Sequence, residues 1–275
     1  MDLITVNQST CVKCGLCSNV CPSGVLSMNE NGPIAIHPDN CITCGHCVAV
    51  CPSSSIDNIK TPLSNQLYLE SFPIIDSSTA ESFLRSRRSI RCYKEAKVPQ
   101  QALLKLVNIA RFAPTASNTQ GLSYIVIKNK KILQQAASIV VEWMEDQLKN
   151  SPSPHWSFSR HVKNYREAGE DSILRNAPHI ILATSTKDFK NGIKNTISAF
   201  SYLELFATTL GLGSCWAGLF EMCAFSNYKP LLELLQIPDN KVITGAVMVG
   251  YPKYKYRKIV DRNPLEVLCL LLYFH

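Results

Sequence analysis

The chain has no positively charged start followed by an apolar stretch, so it shows no secretory leader. Its longest apolar runs, such as 267–274, are far too short to cross a bilayer. Charged residues are sparse at 18% against 46% hydrophobic, which fits a folded globular chain rather than a disordered one. No Ser-His-Asp set and no paired carboxylates stand out. Acid–base catalytic residues therefore stay unassigned, and protons come from solvent. His155, His161 and His179 show no ligand-like spacing. No groove-reading helix, finger or aromatic–basic platform argues for nucleic acid. Without a leader, the twelve cysteines read as metal ligands in a reducing cytoplasm rather than as disulfides.

Eight of those cysteines fall in two copies of Cys-x2-Cys-x2-Cys-x3-Cys-Pro. Cys11, Cys14, Cys17, Cys21 and Pro22 form the first. Cys41, Cys44, Cys47, Cys51 and Pro52 form the second, 30 positions on. Thiolates at this spacing bind cubane [4Fe–4S] clusters, and the proline-linked cysteine reaches the other cluster. The expected ligand sets are Cys11, Cys14, Cys17 and Cys51 for cluster one, and Cys41, Cys44, Cys47 and Cys21 for cluster two. The repeat implies two half-units about a pseudo-twofold axis. Gly15 and Gly45 let the backbone turn tightly toward inorganic sulfide. Zinc is the competing reading, but zinc knuckles use separated Cys-x2-Cys pairs. His46 lies inside the second run as a bystander, since four thiolates already complete the set. Residues 5–58 resemble the bacterial-type ferredoxins with two four-iron clusters.

The net charge of +7 is unevenly shared: residues 1–60 carry −2 and the remainder +9. A basic remainder suits an anionic cofactor or partner. The expected organisation is a ferredoxin-like module over 1–60, a linker over 61–78 and a second domain over 79–275. In that domain Ser78 and Glu81 read as a capping box opening a helix to about Arg87. Pro99 opens a helix burying Leu103, Leu106, Val107 and Ala110. Strands are expected over 122–128, 179–184, 243–250 and 265–273. A helix is expected over 195–210 with Ile197, Phe200, Leu203, Ala207 and Leu210 inward. The irregular alternation favours an α+β layered fold.

Four segments carry a cofactor argument. RSRRSIR (85–91) offers arginine forks for phosphate, although a solvated basic helix end looks similar. APTASNTQ (113–120) is a small polar loop that either presents amides to a ring edge or simply turns. GLGSCWAG (211–218) contains Gly-x-Gly but is no dinucleotide fingerprint: Trp216 holds the sixth position, and a helix rather than a strand precedes it. GYPKYKYR (250–257) is either a basic surface loop or a phosphate partner. Residues 140–169, with Trp143, Trp156, Phe158 and Tyr165, are either a lid or ordinary core and surface aromatics. Cys92, Cys215, Cys223 and Cys269 read as buried small apolar residues.

In this order the four segments resemble the nitroreductase family over about 80–275, and with the front module they resemble its ferredoxin–nitroreductase fusions. The resemblance implies an FMN-dependent, homodimeric, cytoplasmic α+β oxidoreductase with FMN in the dimer interface. It implies that Arg87, Arg88, Ser89 and Arg91, with Lys255 and Arg257, hold the FMN phosphate and ribityl chain. Pro114, Thr115, Ser117 and Asn118 would contact flavin, the first three across the dimer. Trp216, Ala217, Gly218 and Leu219 would line the isoalloxazine near N5. Gly218 and Leu219 stand where some members carry Glu-Gly, so backbone N–H contact is expected there. The strand near 265–272 would pair with the partner's sheet. The implied flow runs from a reduced ferredoxin or similar donor, through two [4Fe–4S] clusters and FMN, to a nitroaromatic, quinone or conjugated alkene. NAD(P)H as hydride donor, and a non-catalytic electron relay or redox sensor, are the alternatives.

Overall fold

The duplicated cysteine run folds into duplicated structure. In the computed structural model, which describes residues 2–69 and 73–268, each run leads into a single helical turn, α1 (Leu16–Asn19) and α2 (His46–Ala49). Strands β1 (Ile4–Val6) and β4 (Ile56–Asn58) pair antiparallel, as do β2 (Leu26–Asn29) and β3 (Gly32–Ala35). The repeat offset carries β1 onto β3 and β2 onto β4, so the two pairings are the pseudo-symmetric copies of one another. Backbone conformations repeat too. Gly15 and Gly45 cap the helical turns at φ 77° and 72°. Lys13 and Thr43 sit at φ 53° and 59°, left-handed values for which a Cβ is normally penalised. A small core of Leu3, Ile4, Val25, Leu26, Val48 and Ile56 closes the module.

The chain divides into two units that are not consecutive in sequence. One runs to Ile74 and takes in Pro114–Gly121; the other takes Ile75–Ala113 and the described chain from Leu122 onward.

The larger unit is built on an antiparallel four-stranded sheet in the order β5-β6-β8-β7: β5 (Ser123–Ile127), β6 (His179–Thr186), β7 (Gly213–Trp216) and β8 (Lys241–Gly250). Alternate residues leave opposite faces of a strand. Ile180, Leu182, Ala246 and Met248 therefore join one core, while Ile181, Ala183, Val247 and Val249 join another. Because both faces are covered, β6 and β8 read in sequence as nearly continuous apolar runs. Helices α4 (Gln100–Ala110) and α7 (Gly192–Thr209) cover the second face with Leu103, Leu106, Phe200 and Leu203. Helices α5 (Lys130–Asn150), α8 (Gly218–Phe225) and α9 (Lys229–Leu234) cover the first with Val140, Met144, Phe220 and Leu231. Each such side chain, fully buried, contributes about 1.5–3 kcal/mol. Helices α3 (Ser77–Ser86) and α6 (Phe158–Ala168) complete the unit. No described helix is long and apolar enough to cross a membrane.

Several expectations need correction. The N-cap of α3 is Asp76, which accepts the Thr79 N–H at 2.9 Å, not Ser78. Glu81 instead pairs with Arg85 one turn on, at 2.7 Å. Ile197 is 52% exposed, because α7 turns Asn195, Thr196, Ala199 and Phe200 inward. The segment 211–218, for which no strand was expected, has β7 at its centre, paired with β8. Within 140–169, Trp143 and Phe158 meet edge to face at 5.4 Å in the core, whereas Trp156 is exposed. Cys92 is exposed; Cys215 and Cys223 are buried. Residues 265–268 form no strand and are exposed; the rest of the expected final strand, with Cys269, lies outside the described residues.

Candidate functional site

In the smaller unit the two cysteine runs exchange their last members. One cavity is lined by Cys11, Cys14, Cys17 and Cys51, with Gly15, Met28 and Ile56. The other is lined by Cys41, Cys44, Cys47 and Cys21, with Gly45, Val25 and Asn58. Each cavity thus gathers three cysteines of one run and the proline-linked cysteine of the other. Among the described residues no three His, Cys, Asp or Glu side chains converge as a single ion requires. Each cavity is lined by four thiols, the number a [4Fe–4S] cubane takes as ligands.

The surroundings supply hydrogen bonds to sulfur. The Ser55 N–H donates to Cys51 Sγ at 3.3 Å, and its symmetry counterpart, the Val25 N–H, donates to Cys21 Sγ at 3.3 Å. The Ser55 and Ser53 hydroxyls lie 3.4 and 3.7 Å from Cys51 Sγ. Burial opposes ionisation of Cys51, but the Ser55 and Ser53 hydrogen bonds prevail and bring the thiol down to about 7. The buried amide of Asn58 approaches Cys41 and Cys47 Sγ at 3.9 and 3.8 Å. Sequence reasoning missed Asn58; its only signal is a polar residue closing β4 against a cysteine cluster. Burial pushes the Cys17 and Cys47 thiols up, a cost that thiolate ligation would offset.

The larger unit holds a cleft of about 510 Å³. Arg87 and Arg88 at the end of α3, Gly213 and Ser214 of β7, and Lys253, Tyr254, Lys255 and Tyr256 line it, with Lys94. The Arg88 guanidinium stands 5.8 Å from the Tyr256 ring centroid. Five cations around one cleft attract a multiply charged anion such as a phosphate. Lys94 and Lys253 were missed, although Lys253 belongs to the same basic run as Lys255. Ser89 bridges Ser214 in parallel fashion, and Ile90 N–H donates to Ser214 O at 2.9 Å. That pairing needs Gly213, since a Cβ there would overlap Ile90. Arg91 reaches back to Ser89 O at 3.4 Å, and Arg257 is exposed. Neither Ser89, Arg91 nor Arg257 lines the cleft.

Behind the cleft lies Glu204, a buried carboxylate on the inward face of α7. It accepts the Ser214 hydroxyl at 3.0 Å and the Trp216 indole N–H at 3.1 Å, and Arg87 approaches at 3.5 Å. It joins the cleft arginine to the tryptophan of β7. The sequence hint was one acid within an otherwise apolar stripe. Beyond Trp216, Ala217 is buried and Gly218 and Leu219 open α8. In its first turn Glu221 accepts the Ala246 N–H at 2.7 Å, and burial raises its pKa to about 7 against that bond. His179 has a packing role: its Nε2 accepts the Val98 N–H at 3.0 Å, and burial disfavours its charged form.

The remaining expected residues sit elsewhere. Pro114, Thr115, Ser117 and Asn118 belong to the smaller unit. Thr115 Oγ1 accepts the Gln120 N–H at 3.0 Å. Asn118 donates both amide hydrogens to the cysteine module, to Ile42 O at 3.0 Å and Thr43 O at 2.8 Å.

Residues 84–251 match the sequence model of the nitroreductase family. The chain belongs to that family. Residues 3–52 match the model of the 4Fe-4S dicluster domain. The protein is thus a nitroreductase-family oxidoreductase with an amino-terminal iron–sulfur domain. A putative NADH dehydrogenase/NAD(P)H nitroreductase of Archaeoglobus fulgidus is 27% identical over 61% of this chain and 82% of its own. An iodotyrosine deiodinase of Thermotoga neapolitana is 21% identical over 65% of this chain and 94% of its own. Among solved structures, an FMN-bound nitroreductase of Bacteroides fragilis superposes with a TM-score of 0.57 at 18% identity, covering 70% of this chain and all of that one. An FMN-bound nitroreductase of Desulfitobacterium hafniense gives 0.57 at 17%, with 70% and 100% covered. At these identities the superpositions establish the nitroreductase fold alone.

Proposed function

We propose that this protein is a homodimeric flavoenzyme that draws single electrons through two [4Fe–4S] clusters in its first sixty residues and spends them in pairs on an electron-poor organic acceptor, such as a nitroaromatic or quinone. The observation that carries this reading is the co-occurrence, in one nitroreductase-family chain, of two four-thiol cavities and a five-cation cleft. The clusters supply one-electron steps, and FMN converts these to two-electron chemistry.

The chain's own residues divide the work. Cys11, Cys14, Cys17 and Cys51 hold one cluster; Cys41, Cys44, Cys47 and Cys21 hold the other. Arg87, Arg88 and Lys255, with Lys94 and Lys253, neutralise the FMN phosphate in the cleft. Ser89 and Arg91 shape that wall through Ser214, and Arg257 extends the basic rim. Trp216, Ala217, Gly218 and Leu219 border the ring, and the Gly218 end of α8 favours negative charge beside it. Pro114, Thr115 and Ser117 shape the ring's surroundings from the partner subunit. Relatives include proteins named as NAD(P)H nitroreductases, so hydride from a nicotinamide is the competing electron source.

The test is anaerobic fast mixing of the iron- and FMN-loaded protein with chemically reduced ferredoxin, and separately with NADH. Flavin bleaching by ferredoxin, lost in Cys14→Ala, supports the relay. Bleaching by NADH with the Cys14→Ala variant unaffected replaces it.

A further inference from the structure

The cysteine module is nearly symmetric within itself, yet its two ends meet different surroundings. The first two cysteines of each run are joined by a turn, Val12 and Lys13 in one copy and Ile42 and Thr43 in the other, left-handed at Lys13 and Thr43, and Val12, Lys13 and Ile42 line the cavities. In the first copy Val12 is 66% exposed and both Lys13 and Cys14 are exposed. In the second, Ile42, Thr43 and Cys44 are all half-buried. On this second turn Asn118 donates its single amide group to both carbonyls.

Asn118 is placed to do this by its backbone. Ser117 and Asn118 both adopt left-handed φ, 49° and 51°. Asparagine tolerates that region better than most side chains. Thr119 Oγ1 donates to Ala116 O at 2.8 Å and fixes the loop from within. The contact lies wholly inside the smaller unit, which includes Pro114–Gly121. Yet that loop is covalently continuous at both ends with the other unit, through Ala113 after α4 and Leu122 before β5.

We propose that this asymmetry gives the module a direction: electrons are admitted over the open turn of Val12 and Lys13 and leave over the turn of Ile42 and Thr43, which Asn118 holds as the outlet. The proposal rests on the relay described above and adds its polarity. Two features favour the second turn as outlet. Its carbonyls are held by two hydrogen bonds from the amide, which limits reorganisation as charge passes. Its hydrogen bonds also open a short route of bonded atoms from Thr43 O through Asn118 into the chain of the larger unit. The open turn, flanked by exposed Leu16, leaves the first cavity's edge free for an external carrier. The electron count closes. A low-potential one-electron reductant loses one electron at the inlet, the acceptor bound by the larger unit gains one, and the module is unchanged. Two passages furnish one two-electron reduction.

The test uses the full-length holoprotein, with reduced ferredoxin as the probe, followed anaerobically at iron–sulfur and flavin wavelengths. Asn118→Asp, which keeps the size but loses the donors, and Asn118→Ala are expected to leave the iron–sulfur phase unchanged. The flavin phase that follows is expected to slow by about tenfold or more. An EPR-monitored redox titration is expected to show one cluster signal altered and the other untouched. Val12→Glu is expected to do the reverse, slowing only the first phase. If Asn118→Ala fails to load iron, Asn118→Asp carries the test alone. An unchanged flavin phase in Asn118→Asp, an equal change in both cluster signals, or a Val12→Glu effect confined to the flavin phase overturns the polarity. Wild-type protein that binds no flavin or no iron overturns the underlying relay as well.

Discussion

The Trp216 indole N–H donates to Glu204 Oε2 at 3.1 Å, while the other oxygen of the same carboxylate takes the Ser214 hydroxyl and faces Arg87. One buried acid thus ties the basic cleft to the tryptophan at the end of β7. Removing it strands two buried donors and an arginine. Glu204→Ala is expected to lower stability by about 1–3 kcal/mol and weaken FMN binding. Glu204→Gln, which still accepts hydrogen bonds but cannot neutralise Arg87, is expected to cost less. Denaturant melts and FMN titrations followed by flavin fluorescence measure both.

The cleft cations make a graded prediction. Arg88→Ala and Lys255→Ala are each expected to weaken FMN binding about tenfold, a loss of about 1.4 kcal/mol. The loss should shrink as salt rises, because these groups are near solvent. Riboflavin, which lacks the phosphate, should bind wild type and variants alike. Equal losses for riboflavin would place the phosphate elsewhere.

Cysteine exchange between the runs can be read from metal content. Cys51→Ala and Cys21→Ala are each expected to cost about half the iron, and to remove different EPR signals. The signal lost in Cys51→Ala should be the one lost in Cys14→Ala, although Cys51 belongs to the other run.

Glu221 predicts a pH trend. Its folded pKa, raised by burial to about 7, lies above the ordinary carboxylate value. Between those two values the folded state holds the proton more tightly than the unfolded chain, so this group's contribution falls as pH rises from about 4.5 to 7 and is level beyond. Thermal melts across pH 5–8 should show a decline that Glu221→Gln flattens, since glutamine still accepts the Ala246 N–H.

Gly213→Ala should disrupt the cleft wall through packing alone. The added methyl would overlap Ile90 and press Pro252. Overpacking of this kind costs about 1–3 kcal/mol. Because Ile90 N–H pairs with Ser214, the shift should also loosen the Arg87–Arg88 wall and weaken FMN binding alongside stability.

The cysteine runs were the most legible part of the chain, because ligand spacing is a local property. The repeat at 30 positions implied two like half-units, and the strand pairings and left-handed turns do recur at that offset. The sheet was readable where strands are bounded by turn residues, as for β5, β6 and β8. It was unreadable at β7, whose glycine-rich run looks like a turn until Gly213 is seen against Ile90. Ile197 misled for a related reason: apolar periodicity cannot show that Thr196 bonds Thr244 across to the sheet, at 2.7 Å, and sets the helix's rotation. Asn58 and Glu204 were invisible as site residues, and Asn118 was expected at the flavin rather than against the cysteine module. Each acts on a group between 10 and 117 positions away, and nothing local marks such a partner.

The eight residues Pro114–Gly121 complete a unit whose other members end at Ile74. A fragment cut anywhere in 61–78 would free the cysteine module from its neighbour but strip it of that patch. Grafting such a module onto another reductase would therefore require transplanting two separated stretches of sequence, and a donor module moved alone would arrive with one of its two turns uncapped.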